Sequence, residues 1–282
     1  MIPMEEKKFT SEHFYFNTLA LEDAPSWGMS FRAAGSMRFR WNETNENRIA
    51  FLKSIAGHRT VAAVELIHSH VVFAVESAGE LEGKQGDGII TTNRNLLPVV
   101  TVADCMPIFL YEPHTGVFGV LHSGWKGTGI VKDAIEKAEK VYGARPENFC
   151  VVMGPHIHDC CYIVDEERAQ YFRVNFTPDC VTPVNERQGI LFAGDIKKGE
   201  PPVIEKEAAV GQKKYRLSLA KANLAVLRAV GVPEENIVVC RDCTCCSSKF
   251  GSFRRETMGL PADMSLSEKQ KHFTVQAAWV KW

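Results

Sequence analysis

The chain lacks most features that would classify it quickly. No uninterrupted apolar run approaches the roughly 18 residues of a membrane span, and there is neither a low-complexity block nor a repeat at solenoid or propeller periods. Neither sign of charge dominates. With 33 Lys+Arg against 34 Asp+Glu the formal net charge is -1, leaving no basic excess for nucleic acid and no acidic tail. The opening MIPMEEKKFTSEHF contains no apolar stretch followed by a small-residue cleavage site, so no secretory leader is expected. The expectation is a cytoplasmic chain with neither a nucleic-acid nor a membrane partner; the sequence assigns no oligomeric state.

What is present is ordinary in amount and unusual in placement. A 282-residue chain with 45% hydrophobic and 24% charged residues can bury a substantial core. Nine cysteines are an odd count without an export signal, which favours thiols in a reducing compartment, some of them metal ligands. The basic GQKKYR stretch (Gly211 to Arg216) follows Glu205 and Glu207 and reads as a solvated face or loop.

Periodicity predicts a mixed α/β chain. Residues 1 to about 45 carry turn formers and charges and read as irregular; IAFLKSIAG (Ile49 to Gly57) reads as a short helix. TVAAVELIHSHVVFAV (Thr60 to Val75) suits one or two strands around His68. VVTVADC, PIFLYE and VFGVLH are apolar and strand-like, with PHTG as the turn between the last two. Val131, Ala134, Ile135, Ala138 and Val141 share one helical face that Gly143 ends. NFCVVMGP and NIVVC read as further strands, and Ala220, Leu224 and Leu227 mark a helix broken by Gly231 and Pro233. PVNERQG and FAGDIKKGEPP read as loops or insertions, so one domain over 1–282 is expected.

Three residues with metal or catalytic chemistry fall at strand ends: His68 after VELI, Cys105 after VVTVAD, His122 after VFGVL. A hairpin over Pro107–Leu121 can bring Cys105 and His122 to one end of adjacent strands. Two imidazoles and a thiolate would make a three-ligand zinc site with a fourth position open. Two other readings stand beside it: an inert core cysteine with ordinary hydrogen-bonded histidines, and a metal-free Cys–His nucleophilic pair. In the loop after His122, Gly124, Gly127, Gly129 and Lys126 suit either an anion at a helix N-terminus or a plain tight turn. MGPHIHDCCY adds a second His/Cys cluster, and CRDCTCC (Cys240, Cys243, Cys245, Cys246) a third that is dense enough for a structural metal but lacks a second C-x-x-C.

In their order along the chain these segments resemble the motifs of the laccase-domain proteins, also called multicopper polyphenol oxidoreductases or the YfiH type. ELIHSHVV resembles Q-V-H-G, with Leu66 for glutamine and Ser69 for glycine; GDGIITT resembles A-D-A/G-hydrophobic-T at Asp87. TVADCMPIFLYEP resembles T-A-D-C-x-P, and HSGWKG resembles H-A-G-W-R-G with lysine for arginine. MGPHIHDCCYIV resembles G-P-x-I-x-x-C-C-Y-E-V with Ile163 for glutamate, while Cys243–Thr244 and Ser252–Arg255 resemble C-T and S-Y-R-R. Two elements depart: the closing T-G-R reads MGL at Leu260, and the G-G-x-S region is poorly kept at WGMSFRA.

The resemblance implies a single-domain mixed β-sheet sandwich flanked by helices, YfiH-like. It implies His68, Cys105 and His122 as a zinc (alternatively copper) triad. It also implies phosphorolysis of purine nucleosides (adenosine, inosine, guanosine, methylthioadenosine) with adenosine deaminase activity. Purine nucleoside and phosphate are then the partners, with Asp87, Gly124, Lys126, Arg254 and Arg255 as candidate substrate or phosphate contacts. The older family name implies copper-dependent polyphenol oxidation, and a catalytically weak binding protein of the same fold is a further alternative. Laccase chemistry needs a histidine-rich multicopper cluster, which nine scattered histidines supply poorly; one His₂Cys site suits a single zinc.

Overall fold

A computed structural model describes residues 4–10, 12–18, 24–184, 191–192, 203–204, 213–261 and 263–282. Most of the two stretches expected to be loops or insertions, and residues 205–212, lie outside the described residues.

The long apolar segments become strands buried on both faces, which is why they read as near-continuous hydrophobic runs. They form two six-stranded mixed sheets. Sheet 1 runs Met4–Phe9, His13–Thr18, Ser26–Ser30, Gln276–Lys281, Leu96–Val102, Thr60–Ala63. Sheet 2 runs Ile237–Val239, Cys150–Met153, Met106–Glu112, Val117–Ser123, Gly88–Thr91, Val72–Ala74.

Strand alternation sorts the core into layers. Trp27, Met29, Val100, Val102, Ala278 and Val280 of sheet 1 pack against Phe109, Tyr111, Phe118, Val120, Val152 and Val238 of sheet 2. The opposite residues of sheet 1, Leu97, Val99, Ala277 and Trp279, pack on helix α1 (Glu46–Ala56). Sheet 2 turns Ile108, Leu110, Leu121, Val151 and Met153 toward α2 (Ile130–Tyr142), α3 (Glu166–Asn175) and α4 (Leu219–Val230). The result is a β-sandwich between helical layers, as expected.

Helix boundaries follow local chemistry. The side chains of Asn45, Asp165 and Ser218 accept from backbone N–H groups three residues on and start α1, α3 and α4. Gly143 and Gly231, both left-handed, end α2 and α4. On α2 the predicted face is buried through Ala138, but Val141 is 54% exposed because the stripe leaves the sheet at the last turn.

Two expectations are corrected. The first 45 residues are not irregular: three strands of sheet 1 and the start of the core lie there. Gly28 masks the third of them, since a Cβ at that position would stand 2.2 Å from the Trp279 ring; the indole needs a bare backbone to lie against. The GQKKYR stretch does not end as solvated chain either. Tyr215–Leu217 is a strand between Ile163–Val164 and Val181–Pro183, and Tyr215 is buried with its hydroxyl donating to Glu166 Oε2 at 2.5 Å.

Candidate active site and its metal-binding residues

The chain crosses from sheet 1 to sheet 2 twice, once between Thr60–Ala63 and Val72–Ala74 and once between Leu96–Val102 and Met106–Glu112. His68 lies in the first crossing and Cys105 in the second, while His122 lies on the neighbouring Val117–Ser123 strand, paired with Pro107. Both crossings are strained: His68 (φ 59°) and Asp104 (φ 75°) are the non-glycine residues with positive φ among the described residues. Such a conformation costs on the order of 1–3 kcal/mol per residue and persists only where its surroundings enforce it.

The enforcing contacts are visible at each position. Asp87, wholly buried, accepts from the His68 and Ser69 backbone N–H groups at 2.9 and 2.6 Å and from the Ser69 hydroxyl at 2.7 Å. Ser69, a departure from the family's glycine, thus adds a bond to the same carboxylate. Buried Asp104 accepts from Thr244 Oγ1 at 2.6 Å, Ser252 Oγ at 2.9 Å and the Arg254 backbone N–H at 2.6 Å. Burial pushes its carboxyl above the usual range against those three donors.

The nitrogen and sulfur ligand atoms of His68, Cys105 and His122 all lie within 4.8 Å of one another. The two imidazole rings are 4.8 Å apart and nearly perpendicular. Asp87 Oδ1 stands 2.8 Å from His122 Nδ1, which fixes that nitrogen as the proton carrier and turns Nε2 toward the cluster. Burial lowers the pKa of His122, but the Cys105 charge and Asp87 outweigh it and raise it to about 10. Burial likewise opposes ionisation of Cys105, yet the His122 charge and hydrogen bonds from His122 and His68 bring its thiol down to about 6. Cys105 is therefore a thiolate at neutral pH, the form that ligates metal or attacks an electrophile.

The glycines of the HSGWKGTG loop serve this cluster. A Cβ on Gly124 would stand 2.7 Å from Cys105 Sγ, and one on Gly127 3.1 Å from the Ser69 carbonyl. The Gly129 N–H donates to Asn223 Oδ1 of α4 at 3.1 Å, and the Thr128 hydroxyl to the Gly124 carbonyl at 2.7 Å. These two polar groups of the loop are engaged within the protein.

Above the cluster opens a cavity of about 440 Å³, the size of a small-molecule site. His68, Cys105, His122 and Gly124 form its floor; Phe39, Trp125, Tyr162, Phe253 and Phe273 supply aromatic walls, and Arg38, Arg40, Arg168 and Arg254 supply positive charge. Arg38 and Arg40 are paired with Glu43 and Glu65. The Arg168 guanidinium lies 3.8 Å from the Trp125 ring centre, and its buried Nε has no hydrogen-bond partner among the described residues. Arg254 donates from Nη2 to the Ile163 carbonyl at 3.0 Å.

Three residues expected to touch substrate are placed elsewhere. Asp87 lies behind His122 with both oxygens engaged. Arg255 is buried and spends its guanidinium on the carbonyls of Thr244, Cys245, Ser247 and Phe250 and on Glu256. Lys126 is exposed beside Trp125 and does not line the cavity. Sequence reasoning missed Arg168, which opens a helix 43 residues beyond Trp125 with no motif to mark it. Leu66, in place of the family's glutamine, is a cavity wall.

Residues 40–264 match the family model described as multi-copper polyphenol oxidoreductase laccase. The chain belongs to this family. Within it the chain is similar to the purine nucleoside phosphorylase YlmD of Geobacillus stearothermophilus, 32% identical over 173 residues that cover 60% of this chain and 55% of that protein. It is also similar to the adenosine deaminase RL5 of an unknown prokaryotic organism, 31% identical over 182 residues covering 64% and 60%. The chain spans little more than half the length of the curated relatives it matches. In three dimensions this laccase-family chain follows the crystal structure of YlmD from Geobacillus stearothermophilus with a TM-score of 0.71 at 20% identity, over 98% of each chain. That likeness is one of fold. No helix among the described residues is long and apolar enough to cross a membrane.

Proposed function

We propose that this laccase-family chain is a zinc-dependent purine nucleoside phosphorylase of the cytoplasm that also deaminates adenosine, organised as one domain over 1–282. The observation that carries this reading is the meeting of two imidazoles and a thiolate on the floor of an aromatic, cationic cavity. The names of the relatives support the reaction. The donor set fits one soft or borderline ion: a depressed thiol, an imidazole whose second nitrogen is tied back to Asp87, and room opened by Gly124. Copper is the alternative ion, but a multicopper cluster would need histidines that are elsewhere. His156 and His158, whose rings lie 4.4 Å apart, are outside the cavity lining, and His156 Nδ1 is taken by the Gly154 carbonyl. When bound, zinc supplies a Lewis acid to the cavity floor.

The chain's own residues would do the rest. Trp125, Tyr162 and the phenylalanines take the purine and keep water from it, and Arg168 with Arg254 holds phosphate. A phosphate oxygen then forms its bond to C1′ as the bond from C1′ to the base breaks, and the base leaves with the electron pair. Cations near the phosphate balance the charge that shifts in that step. Deamination would use the same cavity with water directed at C6 of adenosine instead of phosphate at C1′. The water oxygen forms its bond to C6, the bond from C6 to the amino nitrogen breaks, and ammonia leaves carrying the electron pair and the water's protons.

Phosphate-dependent release of hypoxanthine from inosine by the zinc-loaded chain is the test. Phosphate-independent silence toward inosine and adenosine alike would instead favour a binding protein. Two substitutions probe the parts. Arg168→Ala should raise the KM for phosphate roughly tenfold or more, as expected for loss of a charged contact, and leave deamination largely intact; equal loss in both reactions would remove Arg168 from the phosphate role. Asp87→Asn should weaken zinc binding roughly 10–100-fold, read by competition with a coloured chelator. An unchanged affinity would mean that the carboxylate does not orient His122.

A further inference from the structure

A second group of metal-type ligands lies outside the cavity, assembled from two segments 83 residues apart. Cys160 and Cys161, in the turn after the Cys150–Met153 strand, meet Cys243 and Cys246, in the turn after the Ile237–Val239 strand, with all four sulfurs within 4.8 Å of one another. The Sγ–Sγ separations are 3.7 Å for Cys160–Cys161, 3.6 Å for Cys160–Cys246 and 3.3 Å for Cys161–Cys246. Four sulfurs at bonds of ~2.3 Å around a tetrahedral ion stand about 3.8 Å apart. The three separations among Cys160, Cys161 and Cys246 fall at or slightly inside that edge, and Cys243 Sγ lies within 4.8 Å of each of them.

Three further observations favour a built site over chance packing of small thiols. Cys243-Thr244-Cys245-Cys246 is a C-x-x-C turn, the spacing at which one loop presents two thiolates to one ion. The His158 backbone N–H points at Cys243 Sγ from 3.4 Å, a donor suited to a thiolate rather than a thiol. The site also has an entry path: Cys161 and Cys243 are buried, while Cys246 is exposed. Cys240 and Cys245, members of the same dense run, are outside the group.

We propose that Cys160, Cys161, Cys243 and Cys246 bind one structural zinc ion that clamps the 158–162 turn to the 243–246 turn. Four thiolates and no open position suit a d¹⁰ ion held for structure rather than chemistry. Binding converts thiols to thiolates and releases their protons to solvent. The clamp closes the back of the active site. His156 pairs with Cys243 in a bridge, and Thr244, next to Cys243, donates to Asp104, whose strained backbone positions Cys105. Tyr162, on the other clamped turn, and Ile157, just before that turn, line the cavity.

The inference stands apart from the cavity reading, and its test separates the two. In a His68→Ala/His122→Ala double variant with native circular dichroism, one equivalent of zinc per chain should remain after gel filtration. Cobalt in its place should give the thiolate charge-transfer and visible bands of a tetrahedral four-sulfur site. Adding Cys161→Ser should abolish both. Loss of all zinc from the folded double variant, iron in place of zinc, or cobalt spectra without sulfur bands would each overturn the proposal. Should the double variant not fold, zinc X-ray absorption on the wild-type chain decides. Two ions, one with four sulfurs and one with one, average about 2.5 sulfurs per zinc, whereas a cavity site alone gives about one.

Discussion

Cys105→Ala should lose phosphorolysis and cavity zinc together, with the fold retained. The thiolate is the one anionic donor of the three, and two neutral imidazoles hold a divalent ion far more weakly. The expected loss exceeds that of an outer carboxylate, so roughly 10³-fold or more in kcat/KM is anticipated. Stability should fall little, because Cys105 is half-buried beside a cavity and the change to alanine removes a single sulfur atom. Activity against inosine, metal content and urea unfolding measured on one preparation check this. Zinc retained with activity lost would point to a nucleophile; activity retained would remove Cys105 from the chemistry.

The second large effect is on stability. Asp104→Ala should destabilise the chain by on the order of 3–5 kcal/mol, since the Thr244, Ser252 and Arg254 donors would each lose a buried acceptor at roughly 1–3 kcal/mol apiece. Asp104→Asn, which keeps one carbonyl oxygen and tolerates the left-handed backbone, should cost about half as much. Asp104→Gly would relieve the strain at φ 75° and still lose every acceptor, so it should recover no more than about 1–2 kcal/mol relative to alanine. Urea midpoints at constant slope give these differences. If glycine restores full stability, backbone strain, not the hydrogen bonds, is what the carboxylate manages.

These two residues also show what a single sequence reveals. Apolar runs flag themselves: His68, Cys105 and His122 each follow one, although His68 stands in a crossing beyond the Thr60–Ala63 strand and His122 within the Val117–Ser123 strand. The alternation of Ile108/Leu110 against Phe109/Tyr111 reads as a strand buried on both faces. A positive φ on an aspartate carries no such signal. Nor does Arg168, whose neighbours in sequence are ordinary helix residues and whose guanidinium meets Trp125 only after α3 has docked. Ser26–Ser30 was hidden for a different reason: its central glycine is required by the Trp279 indole 251 residues away, so local propensity argued against a strand that tertiary packing demands. The cysteine clusters were visible separately at 160–161 and 243–246. Their meeting depends on the neighbouring strands Cys150–Met153 and Ile237–Val239, which pair in parallel and deliver both turns to one end of sheet 2. Arg255, read as a phosphate contact from a motif, shows the converse, since nothing local distinguishes a guanidinium aimed at solvent from one wrapped by its own loop.

Alkylation tests most directly whether Cys105 is held as a metal ligand. The metal-free centre has a thiol near 6 beside a raised imidazole, the electrostatics of a reactive nucleophile, so reactivity of the stripped protein cannot separate the readings by itself. The comparison with the zinc-loaded protein does. A thiolate whose lone pairs are engaged by zinc resists iodoacetamide; once a chelator has removed the ion, Cys105 should alkylate rapidly above about pH 6 and more slowly below it, as its thiolate protonates. Mass spectrometry of the peptide carrying Cys105, before and after chelation, reads the difference. Protection in the zinc-loaded protein that chelation abolishes is the predicted result, whereas rapid alkylation of Cys105 in the zinc-loaded protein, or full inosine phosphorolysis by the metal-free one, would contradict it.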